Sequence, residues 1–125
     1  TYFLQNNDGN MLETTSIAAG LDYVGVSPIL AHLEKEGRVQ FEAGSNDEVR
    51  DTIRLVMRTE GLIPALESTH AFVGAVREAP KMNKDQIILI NQSGRGDKDI
   101  FTVADALDDE HWKQFIRQKA EEYNA

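Results

Sequence analysis

Ser93-Gly94-Arg95-Gly96-Asp97-Lys98-Asp99 gathers a hydroxyl, two glycines and four charged side chains into seven residues. A loop that only turned the chain would not need so many ionic groups. Glycine lets the backbone approach a ligand closely, and Ser93 offers a neutral hydroxyl beside it. The stretch follows the apolar run Ile87-Ile88-Leu89-Ile90. That run is aliphatic and too short for a buried helix, so it reads as a central strand buried on both faces. In open α/β sheets ligands sit where the carboxyl ends of such strands open into loops, which makes Ser93 and Gly94 site candidates.

Other residues have two readings each. Glu67 stands where a strand is expected to end and a helix to begin, so helix amides favour its ionised form; it is either a simple cap or a ligand-facing carboxylate. Gly20 and Asp22 lie in a segment with no strong secondary-structure preference, where an Asx-type turn is the plain reading. His70, one turn into its helix, reads as a packing residue. Arg95, Asp97, Lys98 and Asp99 alternate in sign and can pair to stiffen their loop. Arg95-Gly96-Asp97 as an adhesion tripeptide is a chance match. His32, His70 and His111 are scattered, so no metal cluster is expected, and no serine sits in a glycine elbow of the hydrolase kind.

The positioning elements follow from periodicity. Asn6-Asn7-Asp8-Gly9, between Tyr2-Phe3-Leu4 and Met11-Leu12, predicts a hairpin. Ser27 and Pro28 open a helix with Ile29, Leu30 and Leu33 as its apolar stripe, ended at Gly37. Residues 39–43 alternate as a half-buried strand does. Asn46 caps a helix whose core face is Val49, Ile53, Val56 and Met57, stopped by Gly61. Residues 62–66 form a short strand in which Pro64 demands an edge or bulge. Ser68 or Thr69 caps a helix reaching about Ala79, and residues 101–107 form a short one. Asp108 or Asp109 caps the last helix, with Trp112, Phe115, Ile116, Lys119 and Tyr123 along one side. Alternating strands and helices predict an α/β fold, a mostly parallel open sheet flanked by helices. The organisation expected is a hairpin and loop over 1–26, an α/β core over 27–107 and a C-terminal helix over 108–125.

Composition narrows the function classes. The 125 residues carry 21 acidic against 13 Lys and Arg, a net charge of −8. That disfavours nucleic acid, which demands a basic footprint, and an anionic membrane surface. There is no cysteine, hence neither a disulfide framework nor a cysteine-bound zinc. No apolar run approaches a membrane span and no signal peptide is visible, so a cytoplasmic location is expected.

Three ordered segments carry a family resemblance. Ser93 to Asp99 with Ile100-Phe101-Thr102-Val103 resembles the C-terminal signature of the tryptophan synthase β subunit, a fold-type II pyridoxal-phosphate enzyme of two domains. Ser16-Ile17-Ala18-Ala19-Gly20-Leu21-Asp22-Tyr23 resembles the segment around that family's substrate pocket. Glu60-Gly61-Leu62-Ile63-Pro64-Ala65-Leu66-Glu67-Ser68-Thr69-His70-Ala71 resembles its strand-to-helix turn beside the cofactor. The resemblance runs from about Thr1 to about Leu107.

It implies that the chain is the C-terminal part of a subunit that condenses indole with L-serine into L-tryptophan by β-replacement. Ser93 would then meet the pyridine nitrogen of pyridoxal phosphate, with Gly94, Glu67 and Gly20 beside the cofactor and Asp22 near the substrate. Backbone carbonyls of Tyr23 and Gly25 would line a monovalent-cation site. Partners implied are a tryptophan synthase α subunit and a second β subunit. Val24, Ser27 and Leu30 replace a frequent proline, glycine and histidine of the bacterial pattern. The family's Schiff-base lysine and phosphate loop are not found here, so no catalytic residue is assigned and the fragment alone is expected to be inactive. The rival reading is a non-catalytic α/β domain that binds an anionic metabolite through the Ser93 loop.

Overall fold

In the computed structural model, which describes residues 1–124, the regular structure is helical. Helix α1 spans Pro28–Lys35, α2 Asn46–Glu60, α3 Leu66–Glu78, α4 Ile100–Ala106 and α5 Glu110–Asn124. Short 3₁₀ turns occupy Ala19–Leu21, Ala79–Lys81 and Gly96–Asp99.

The core is a helix pair. Val49, Ile53 and Val56 fall at helical spacing on α2 and are buried, as its periodicity predicts. They meet Leu66 and Val73 of α3, with Ala18 and Val103 closing the cluster. Burying an aliphatic side chain of this size contributes about 1.5–3 kcal/mol, so this face holds the two helices together. The ends of α2 are defined by local chemistry. Ser45, rather than Asn46, is the N-cap, in a reciprocal capping box with Glu48; the Asn46 side chain instead accepts the Ile17 N–H at 3.4 Å. Gly61 stops the helix in the left-handed region at φ +66°. Arg77 of α3 donates to Glu48 at 3.0 Å and to the Ala43 carbonyl at 2.6 Å, tying α3 to the start of α2.

The expected parallel sheet is absent. Among the described residues there are no strands, only isolated antiparallel bridges at Phe3–Gly25, Gln5–Met11 and Pro64–Arg95. Gln5–Met11 closes an N-terminal turn around Asn6, whose side chain accepts the N–H groups of Asp8 and Asn10, and Phe3–Gly25 ties that segment to residues 24–26. Residues 39–43 and 87–90 make no ladder, and Ile87 and Leu89 are 88% and 94% exposed. The α/β reading is therefore corrected to a helical one. The physical reason is that a strand exists only through a neighbour that takes up its N–H and C=O groups. Periodicity reports which residues are apolar and says nothing about whether such a neighbour is there.

One helix start and one helix face also differ from expectation. Helix α3 begins at Leu66 with Ala65 as N-cap, so Ser68 and Thr69 are buried in its first turn. In α1 the buried residue is Ala31, while Ile29 is 71% exposed. The last helix starts as predicted, with Asp109 accepting the Trp112 N–H at 3.0 Å. Trp112 lies beside Phe101 and Phe115, with centroids 5.9 and 5.8 Å apart. Ala125 of the predicted C-terminal helix lies outside the described residues. Among the described residues no helix is long and apolar enough to cross a membrane.

Candidate functional site

Residues 93–99 are docked on the start of α3 by backbone hydrogen bonds. Ala65 N–H donates to the Gly94 carbonyl at 3.0 Å and Gly96 N–H to the Ile63 carbonyl at 2.7 Å. This close approach explains Gly96. A Cβ there would stand 2.5 Å from the Pro64 carbonyl oxygen and 2.7 Å from Ile63 Cγ2. Gly94 is less tight, its Cβ falling 3.2 Å from that of Ala65.

Two polar clusters result. In the first, Ser93 Oγ lies 3.0 Å from Ser68 Oγ, which also accepts the Gly94 N–H at 2.9 Å. Ser68 is buried and Ser93 is exposed, so a buried hydroxyl backs the hydroxyl of an exposed residue.

The second is ionic. Glu67 Oε1 accepts the Gly20 N–H at 2.9 Å, and Glu67 Oε2 accepts from Lys98 Nζ at 2.9 Å. Lys98 also bonds both oxygens of Asp99, at 2.7 and 2.8 Å. Asp99 Oδ2 in turn accepts the Leu66 N–H at 3.1 Å, capping α3. The Lys98 ammonium, opposed by partial burial and helped by the Glu67 and Gly20 amides, holds the Glu67 carboxyl below its ordinary value. Asp99, then Glu67, raise the pKa of Lys98. Glu67 therefore stays ionised and pins the Ala19–Leu21 turn against α3. At Gly20 a Cβ would fall 2.7 Å from Glu67 Oε1, so a side chain there would break the contact.

Ser93, Gly94, Glu67 and Gly20 thus come together on the first turn of α3, although Ser93 and Gly20 lie far apart in sequence. Asp22 follows directly on the pinned turn; it is exposed, and its carboxylate makes no hydrogen bond or ion pair among the described residues. Tyr23 is 76% exposed. Near it the Val24 carbonyl accepts the Leu4 N–H at 2.8 Å, whereas the carbonyls of Tyr23 and Gly25 accept no hydrogen bond among the described residues. No group of three or more acidic or histidine side chains that could hold a metal occurs among those residues. His70 packs as expected, its Nδ1 2.9 Å from the Leu66 carbonyl. A separate groove of about 480 Å³, lined by Leu55, Phe72, Val76, Ile88 and Ile90 among others, contains none of the site residues.

No family model matches the chain. A stretch of 117 residues, 94% of the chain, is 47% identical to the tryptophan synthase beta chain of Helicobacter hepaticus (strain ATCC 51449 / 3B1). This chain is a relative of the tryptophan synthase β chain. It spans 28% of the length of that relative, consistent with the C-terminal part of a β subunit.

Set beside the three β-chain motifs, the contacts add residues that the motifs alone do not single out. Ser68 reads from sequence as a helix cap, yet it supports Ser93. Lys98 and Asp99 read as charges that pair within their own loop; they do pair, but Lys98 also reaches Glu67 and Asp99 caps α3. No local signal could have found the Ser68–Ser93 pair, since the partners lie 25 residues apart.

Proposed function

We propose that this chain is the C-terminal part of a cytoplasmic tryptophan synthase β subunit, and that the first turn of α3 with residues 93–99 forms the wall of its pyridoxal-phosphate site. The observation that carries the reading is that the three β-chain motifs, distant in sequence, converge on this one turn. The residues suit the ring-nitrogen side of such a cofactor. Ser93 offers a neutral hydroxyl on an exposed residue, in a loop that packs closely at Gly94 and so tightly at Gly96 that a Cβ there would collide with backbone. Lys98, the lysine of this loop, is engaged by two carboxylates and so does not suit covalent attachment.

When bound, the cofactor would supply the electron sink for replacing the L-serine hydroxyl by indole. The chain's own residues orient and tune. Ser93, a neutral hydroxyl, cannot hold a proton on the ring as a carboxylate would, which leaves a weaker sink and favours β-replacement over transamination. Glu67, ionised and fixed through Lys98, keeps the Gly20 turn in register and with it Asp22, which would meet the substrate. Carbonyls of Tyr23 and Gly25 would serve a monovalent cation. The lysine and the phosphate loop would come from the rest of the subunit, with a second β subunit and an α subunit that delivers indole as partners.

The test is L-tryptophan formation from indole and L-serine by the full-length protein containing this chain. The wild type is expected to make L-tryptophan, and Asp22→Ala to lower L-serine turnover ten- to hundredfold without unfolding, the loss of one hydrogen bond to a charged or reacting group. Absence of L-tryptophan formation by the wild type sinks the proposal, and wild-type kinetics in Asp22→Ala remove Asp22 from the substrate site.

A further inference from the structure

Ser68 is 2% exposed and caps no helix end. Its oxygen accepts the Gly94 N–H at 2.9 Å, a bond whose direction is fixed because a backbone amide can only donate. That leaves its single proton with two targets, Ser93 Oγ at 3.0 Å and the Gly94 carbonyl at 3.4 Å. The Gly94 carbonyl lies beyond the usual range of about 2.5–3.0 Å for O–H···O bonds, which makes Ser93 the better-placed acceptor for the Ser68 proton. Ser93 then has one lone pair filled and its own proton unspent, and it makes no other hydrogen bond among the described residues.

We propose that Ser68 is a positioning residue that sets Ser93 as a hydrogen-bond donor, through a relay running from the Gly94 N–H to the Ser68 hydroxyl and on to the Ser93 hydroxyl. This rests on the reading that Ser93 faces the cofactor's ring nitrogen, and it adds what selects the state of that nitrogen. An unprotonated pyridine nitrogen accepts a hydrogen bond, whereas a pyridinium donates one. A Ser93 already supplied with a proton from behind suits the first and disfavours the second. Each bond in such a chain polarises the next, so Ser93 becomes a stronger donor than a lone serine. The support is rigid, because residues 94, 96 and 99 are held to Ala65, Ile63 and Leu66 by bonds that do not involve Ser68.

The test is a double-mutant cycle of Ser68→Ala and Ser93→Ala in the full-length protein, read in two ways. In cofactor-free protein the thermal midpoints of the two single variants should be non-additive, the double variant losing less than the sum. In loaded protein Ser68→Ala should shift the cofactor's absorption spectrum and weaken its binding about two- to tenfold, with no added loss on top of Ser93→Ala. Ser68→Cys, of similar size but a weaker donor, should fall between, and it carries the cycle should Ser68→Ala fail to fold. Additive midpoints overturn the relay. So does coupling in the cofactor-free protein with a wild-type spectrum and affinity in Ser68→Ala, since the bond would then be structural only. A wild-type spectrum and affinity in Ser93→Ala overturns instead the underlying reading of Ser93.

Discussion

Residues 87–90 and residues 93–99 are near neighbours in sequence with opposite fates. The apolar run makes no backbone ladder and leaves Leu89 94% exposed. The polar loop is fastened to α3 at Gly94, Gly96 and Asp99. The difference lies in what each kind of segment needs. A hydrogen-bonded loop is complete once a few donors and acceptors meet at the right distance, and the start of α3 supplies them. An apolar run is stabilised in proportion to the area that covers it, and α2 and α3 cover each other instead.

The largest effect is expected where the fastened side is tightest. Gly96→Ala would place a Cβ 2.5 Å from the Pro64 carbonyl oxygen, against backbone that cannot swing aside. Overpacking of this kind costs roughly 1–3 kcal/mol. It should also speed amide exchange at Gly94 and Gly96 as the loop lifts from α3. Unfolding midpoints and hydrogen exchange measure both, and an unchanged pair would mean that the loop is not docked as described.

A middle-sized effect concerns Glu67. Its folded pKa lies below the ordinary 4.5, first through the Lys98 hydrogen bond. A depressed carboxylate contributes stability that is fully present above its unfolded value and lost as pH falls through its folded value. Loosening of the Gly20 turn should therefore begin only below pH 4.5. Lys98→Gln should raise the Glu67 midpoint and bring the loosening to higher pH. Glu48, held down to about 2 first by Arg77, is the internal control, since Lys98 plays no part in its shift. A carboxyl NMR titration follows both groups; a Glu67 midpoint that does not move in Lys98→Gln would show that Lys98 is not its partner.

How far the sequence foretold these regions follows the same division. The α2 core face and its Gly61 stop were legible because helix periodicity is local and buried positions recur every three to four residues. Ser93, Gly94, Glu67 and Gly20, the residues proposed for the site, were legible only as motifs, from resemblance, and no spacing within any one of the motifs says that these residues meet. The cross-segment partners of Ser68, Lys98 and Asp99 are illegible for the same reason, as each reaches a residue of another segment. The sheet was misread because 39–43, 62–66 and 87–90 have strand-like composition, and composition does not reveal whether a ladder partner exists.

The smallest effect is the one that tests this correction most directly. If Leu89 is uncovered, Leu89→Ser in this 125-residue chain removes an apolar group that already faces water. Exposed substitutions away from special features change stability by about 0.5 kcal/mol or less, so the denaturant midpoint should hardly move. In a central strand buried on both faces the same change would cost about 2–5 kcal/mol, as large-to-small core substitutions do. Ile53→Ala, in the α2 core at 1% exposure, supplies that larger scale in the same molecule. A Leu89→Ser loss approaching the Ile53→Ala loss would show that the apolar run is covered after all, and the contrast between the two neighbouring segments would collapse.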